Sequence, residues 1–233
     1  MRPIGFSTGA LAYADFREAL RLLSGTGIEV LELSALREAE LAPLLAAIDT
    51  LDLSQFGYVS VHAPSRFRRE SERDIVAALL SLTNKGWPIV VHPDAIFEPA
   101  RWRSLGKMLC VENMDNRKAI GRSAEELKHV FDVLPDACFC FDIGHARQFD
   151  TTMTEAYLLL TEFRCRLRQV HISEVNTCGR HDVMSYASIQ AFREVAHLIP
   201  AEIPLILETP VTADGLVAEM DRVREALPVC AAA

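Results

Sequence analysis

The sequence has little that would tie it to a membrane, a polyanion or an oxidising compartment. No run approaches the ~18 consecutive apolar residues of a membrane-spanning helix. The N-terminus, Met1-Arg2-Pro3-Ile4-Gly5-Phe6, enters an apolar strand without the apolar core of a signal peptide, so a cytoplasmic protein is expected. Positive charge is scarce: 24 Lys and Arg stand against 32 Asp and Glu, a net charge of −8, and no basic nucleic-acid footprint is visible. The densest basic cluster, Arg66, Arg68 and Arg69, reads first as a solvated loop face. Bound metal cations would reverse the local field, so acidity alone does not exclude an anionic substrate. Six cysteines, Cys110, Cys138, Cys140, Cys165, Cys178 and Cys230, form no C-x-x-C pair. Cys138 and Cys140 lie two apart and share a strand face, which points to buried free thiols rather than disulfides. A P-loop, a nucleophile elbow and a His-Glu-x-x-His helix are all missing. Ser24-Gly25-Thr26-Gly27 is too short for a dinucleotide fingerprint and follows a helix.

What is present is a repeat of apolar run and amphipathic helix. Hydrophobic residues make up 50% of 233, enough for one large core. Short apolar runs, predicted as strands, occupy residues 4–7, 28–33, 58–61, 89–91, 108–111, 137–141, 167–170 and 205–207. A helix opened by Asp15 with Glu18 closes at Gly25-Thr26-Gly27, and others are predicted over 43–51, 72–82, 100–105, 123–134, 154–163, 187–198 and 213–227. The runs are continuous rather than alternating, as in strands covered on both faces, and the units are long enough for parallel crossovers. The expectation is a single-domain (β/α)8 TIM barrel spanning 1–233, with a doubly wound open sheet as the alternative.

The later strands end in one chemical class. His62, His92, Glu112, Asp142, His171 and Glu208 each close a strand-like run, and no lysine is among them. The run is unbroken and apolar before His92, Glu112, Asp142 and Glu208, but interrupted by Ser60 before His62 and by Arg168 and Gln169 before His171. In a barrel all six reach the C-terminal mouth. One histidine at a strand end is more often a satisfied polar group than a ligand, and one acid is often a helix cap. Six in succession is a different matter, because three carboxylates converging without a cation repel one another and a divalent metal removes the conflict. Mixed N and O donors suit Zn, Mn, Fe or Co better than Ca or Mg. His145, in the loop expected after Asp142, and His181, in the polar loop 173–185, lie beside the set, and Glu174 follows His171 by three. His129 and His197 fall inside helices and are read as structural.

Val61-His62-Ala63-Pro64, Val91-His92-Pro93, Val111-Glu112-Asn113, Phe141-Asp142-Ile143-Gly144-His145, Val170-His171-Ile172 and Leu207-Glu208-Thr209-Pro210 together resemble the xylose isomerase-like TIM-barrel superfamily. That group includes the endonuclease IV (AP endonuclease family 2) enzymes and many sugar isomerases and epimerases. The nuclease resemblance implies zinc: one ion on His62, His92 and Glu112, and a second on Glu112, Asp142, His171 and Glu208. It also implies a third on His145, His181 and an aspartate two residues before the latter. That position is Gly179 here, with Asp182 or Cys178 as substitutes, so two ions are expected and a third is in doubt. The isomerase resemblance implies one ion on Glu112, Asp142, His171 and Glu208, with Glu112 and Glu208 moving protons. Its arginine six residues after the strand-seven histidine is Thr177 here.

The preferred expectation is metal-assisted hydrolysis of a phosphoester, with Glu112 and Glu208 catalytic and Arg66, Arg180 and Glu174 contacting substrate. The alternatives are a sugar or sugar-phosphate isomerase or epimerase, and a barrel that binds metal or ligand without turnover. A small phosphorylated or sugar-like substrate is expected. Duplex DNA is not favoured, since short loops and net acidity leave little to grip it.

Overall fold

The computed structural model describes residues 2–229, so Cys230 lies outside the described residues. In chain order the strands are β1 (Ile4–Ser7), β2 (Val30–Ser34), β3 (Tyr58–His62), β4 (Ile89–Val91), β5 (Leu109–Glu112), β6 (Cys138–Asp142), β7 (Leu167–Ile172), β8 (Glu174–Val175), β9 (His181–Asp182) and β10 (Leu205–Leu207). Eight of them, all but β8 and β9, close a parallel barrel in the order β1-β10-β7-β6-β5-β4-β3-β2. Closure rules out the open doubly wound sheet. β8 and β9 form a separate antiparallel ribbon in which Val175 pairs with His181; this lifts His181 out of the expected irregular loop and fixes it beside the mouth.

Side chains alternate across each strand. One set, including Leu31, Leu33, Val61, Val91, Val111, Phe141, Ile172 and Leu207, joins the large core beneath the helices. The other set fills the barrel. Val90, Cys110 and Cys140 form its apolar floor, and each lies two residues before His92, Glu112 or Asp142. The period of two therefore carries those three side chains to the same interior, one layer higher. Ser60, Gln169 and Glu32 are buried as well. The strands are thus not apolar throughout: the interior positions of several are polar, and the continuous appearance of the runs comes from their outer faces.

The helices follow local signals. Asp15 accepts the backbone N–H groups of Arg17 and Glu18 to start Phe16–Leu23, and Ser123 accepts that of Glu126 to start Ala124–Val133. The helix expected over 43–51 is instead Glu38–Ala47, because Arg37 and Glu40 cap it earlier and place Pro43 in its second turn. The helix Ile143–Phe149 stands where a loop is expected. Asp142 is its N-cap, accepting the backbone N–H of His145 at 2.6 Å, so His145 lies on a helix rather than in a loop. All five described cysteines are free; Cys110 and Cys140 are buried, whereas Cys165 and Cys178 are exposed, contrary to the expectation that the thiols are buried. No helix among the described residues is long and apolar enough to cross a membrane.

β1 packs against β2 with no side chain between them at Gly5. A Cβ there would lie 1.8 Å from the carbonyl oxygen of Val30. Gly5→Ala is expected to prise the two strands apart, costing about 3 kcal/mol or more and lowering the melting temperature by roughly 6–12 °C. Thermal unfolding followed by circular dichroism reads this directly; a shift within about 1 °C would contradict the close approach.

Candidate metal centre

Glu112 ends β5 at the centre of the mouth, 1% exposed. Its two oxygens face opposite ways. Oε2 lies 3.3 Å from Nε2 of His62 and 3.3 Å from Nε2 of His92. Oε1 lies 3.3 Å from Nδ1 of His171 and 3.3 Å from Nδ1 of His145. Glu208 extends the second side, with Oε2 3.5 Å from Nδ1 of His171. Two groups of ligand atoms result, each mutually within 4.8 Å: His62, His92 and Glu112, then Glu112, Asp142, His171 and Glu208. The six strand-end residues are therefore brought together, and Glu112 belongs to both groups.

The distances are compatible with a metal nest. Good N–H···O bonds cluster at about 2.9 Å. The tetrahedral edge around an ion with ligands at about 2.0–2.1 Å is about 3.3–3.4 Å. The 3.3 and 3.5 Å separations match the edge. The tautomers agree. His62 Nδ1 lies 2.7 Å from the carbonyl oxygen of Ala63, which only accepts, so Nδ1 carries a proton and in the neutral ring Nε2 turns a lone pair towards Glu112. His171 Nε2 lies 3.0 Å from Glu32 Oε2, leaving Nδ1 to face Glu112 and Glu208. Lone pairs aimed at carboxylate oxygens repel unless a proton or a cation lies between them. Asp142 Oδ2 is buried with no hydrogen-bond partner, as is His92 Nδ1. An orphaned carboxylate oxygen pointing into a nest of imidazoles and carboxylates is what a divalent ion would satisfy, and the residues present fit one ion in each nest.

The charges in the metal-free protein show the same strain. Burial raises Glu208, and the neighbouring Glu112 and Asp142 add to it against the His171 charge, so the carboxyl reaches about 8. Burial likewise raises Asp142, opposed by His145 and reinforced by Glu112. Glu112 goes the other way: burial is outweighed by His171 and His92 and by hydrogen bonds from His145 and His171, which hold it well below the usual carboxylate range. Burial alone would lower His145, but Asp142, Glu112 and Glu208 lift it to about 10. His181 falls to about 3 through burial and the charge of His145.

A layer of polar groups beneath the nests fixes their orientation. Glu32, fully buried, accepts from Ser60 Oγ at 3.0 Å and Gln169 Nε2 at 2.7 Å and pairs with His171. Asn113 holds Asp142 by both backbone groups, at 2.8 and 2.7 Å. Partners in these positions are what a metal-binding imidazole or carboxylate needs to hold its orientation. Glu32 was legible as a lone acid between Leu31 and Leu33 but escaped the strand-end pattern because two more residues follow it. Asp115, Arg117 and Lys118, in the segment after β5, have no motif and were also missed.

The remaining sequence candidates divide. His145 and His181 approach to 5.5 Å between ring centroids, yet they form no third ligand group among the described residues. Nδ1 of His145 is 3.0 Å from the carbonyl oxygen of Asn113, and Nδ1 of His181 is 2.7 Å from Ser173 Oγ. Asp182 and Cys178 are exposed. Arg180 lines a cavity of about 530 Å³ that also touches His181 and Glu208. Arg66 is exposed on the rim. Glu174 turns away to Ser185 N–H and Ser188 Oγ, at 2.6 and 3.1 Å, and so ties the β8–β9 ribbon to the helix Tyr186–Val195. His129 is exposed on its helix and bonds to the Glu125 carbonyl, as a structural histidine does.

No protein-family model matches this chain, and no curated protein does. Solved structures do. Endonuclease IV from Thermus thermophilus superposes with a TM-score of 0.61 at 20% identity over 97% of this chain and 100% of that one. A xylose isomerase domain protein from Alicyclobacillus acidocaldarius gives 0.64 at 15% over 97% and 98%. A D-psicose 3-epimerase, solved in the presence of D-fructose, gives 0.57 at 13% over 97% of both chains. At these identities the likeness is one of fold. The chain shares the (β/α)8 barrel fold of a nuclease and an epimerase, so the choice of chemistry rests on the site.

Proposed function

We propose that this chain is a divalent-metal-dependent enzyme that hydrolyses a phosphoester of a small molecule at a two-ion centre. The observation that carries this reading is Glu112, one oxygen at 3.3 Å from the His62–His92 pair and the other at 3.3 Å from His171. An isomerase with a single ion has no use for the first nest. When bound, such a pair of ions supplies Lewis acidity to a water and neutralises charge on a phosphoryl group. The chain's own part is to hold Glu112 between the nests, to orient His171 through Glu32, and to exclude bulk water from buried donors. Glu208, which borders the larger cavity at the mouth beside His181 and Arg180, is the carboxylate that would face a bound substrate and exchange a proton with it. Zn fits the tetrahedral edge lengths best, with Mn, Fe and Co as alternatives. The larger cavity, about 530 Å³, suits a small ligand and not a duplex. The free thiols fit a reducing compartment such as the cytoplasm.

A sugar or sugar-phosphate isomerase is the second reading. It is favoured by the nest of Glu112, Asp142, His171 and Glu208, which could serve alone with Glu112 and Glu208 as the acid–base pair.

His62→Ala separates the two. Hydrolysis at a shared centre predicts that this variant keeps one of two ions and loses phosphoesterase activity by about 100-fold or more. Isomerisation predicts that ketose turnover survives the same change. Elemental analysis, with turnover of a small phosphoester panel and a ketose panel, reads both; an unchanged phosphoesterase rate would overturn the two-ion reading.

A further inference from the structure

One group of charges at the mouth has no part in that scheme. Asp115 is 1% exposed, and its carboxylate grips Arg117: Nε lies 3.0 and 2.9 Å from the two oxygens, and Nη2 bonds to Oδ2. The backbone N–H of Arg117 adds a bond of 2.8 Å to Oδ1. Nη1 makes no hydrogen bond to the described residues, and the side chain is 45% exposed. Beside it, Lys118 is braced by Asp94 at 2.7 Å. Both cations line a cavity of about 140 Å³ whose other walls include His62, His92, Glu112 and His145.

Gly179 makes room for this guanidinium. Its φ is +68°, and a Cβ on it would lie 1.9 Å from Arg117 Nε and 2.0 Å from Cζ. Any side chain there, aspartate included, would start inside the guanidinium. Gly179, two residues before His181, is where the nuclease resemblance places the carboxylate of a third ion. The missing aspartate and the packed arginine are therefore one feature.

We propose that Arg117, packed on Gly179 and anchored by buried Asp115, takes the place of a third ion and, with Lys118, binds the phosphoryl group of a small phosphorylated substrate. The inference deepens the proposed function and rests on it for the two neighbouring ions. A guanidinium already fixed by a buried carboxylate loses little freedom on binding, and its free edge matches phosphate oxygens. The rest of the substrate would lie in the adjoining cavity, which shares Leu36, His181 and Glu208 with the smaller one and adds Tyr13 and Arg180.

The test titrates inorganic phosphate into the metal-reconstituted protein by calorimetry, with metal content measured on the same samples. The wild type is expected to hold two ions. Arg117→Ala is expected to keep both and to bind phosphate about 30-fold more weakly, Arg117→Lys to fall between, and Lys118→Ala to lose about 5-fold. Gly179→Ala, which displaces the guanidinium without removing it, is expected to weaken phosphate about as much as Arg117→Ala; it keeps the test open if that variant does not fold. Phosphate affinity within about 3-fold of wild type in the arginine and glycine variants, with both ions retained, would overturn the proposal, as would a third ion bound beside Arg117. A wild type that binds no ion would instead overturn the proposed function. The comparison of phosphate binding between wild type and variants would still decide the role of Arg117.

Discussion

Glu112→Gln is expected to empty both metal nests at once. The amide keeps the size of the carboxylate and removes its charge. Its NH2 group could donate to the imidazoles on one side only, while its carbonyl oxygen would face the other side at about the same 3.3 Å without the charge to hold an ion. Each nest also loses its shared anionic ligand, and with it the charge that offsets a divalent ion in a buried site. Metal content is expected to fall from two ions per chain to fewer than about 0.2, and turnover by about 1,000-fold or more. The contrast with His62→Ala gives the result its force. That substitution touches only the first nest, whose other ligands are His92 and Glu112, and leaves the second intact. Equal metal loss from the two variants would mean that Glu112 is not the bridge.

The second large effect is a reversal of pH dependence on chelation. Without metal, Glu208 titrates at about 8 instead of its ordinary 4.5, and His145 at about 10 instead of 6.5. Both bind protons more tightly folded than unfolded. The stability Glu208 contributes as a neutral carboxyl is lost as pH rises from 4.5 through 8. That of the His145 imidazolium is present below 6.5 and lost as pH rises through 10. Glu112 opposes them only in acid, because its depressed pKa gives stability that vanishes as pH falls well below 4.5. Between about pH 6 and 9 these two groups are therefore expected to lower the melting temperature of the chelated protein, partly offset above pH 7 by the Cys138 thiol, which titrates at about 7 instead of 9. The loaded protein is not expected to show this loss, because bound cations take over the work of the protons. Metal affinity should climb over the same range; the Glu208 proton alone implies roughly a 50-fold gain from pH 6 to 8. Differential scanning calorimetry of chelated and reconstituted samples across this window tests the point. Parallel pH profiles would contradict it.

Much of the barrel was legible because its signals are local. Apolar runs of three to six residues, Asp15 and Ser123 at helix starts, and Pro and Gly punctuation placed most elements within a few residues. The six metal-site candidates were legible for a related reason: a strand that ends at a polar residue announces the barrel rim in sequence. What failed was whatever depends on three-dimensional neighbours. The helix Ile143–Phe149 is one such case. It begins at once because Asp142 caps it, so one residue serves as both helix cap and ligand candidate. Glu174, three residues after His171, was expected to contact substrate, but the β8–β9 ribbon turns it towards Ser185 and Ser188. Arg117 is another. It carries no motif, and its meaning appears only when Gly179, 62 positions later, is seen to lie against it.

The central claim is a two-ion centre bridged by Glu112, and anomalous diffraction at the zinc edge from crystals of the reconstituted wild-type protein tests it most directly. The account predicts two peaks, one among His62, His92 and Glu112 and one among Glu112, Asp142, His171 and Glu208, with none beside Arg117. A single peak, ions that do not contact Glu112, or no bound metal after reconstitution would contradict it.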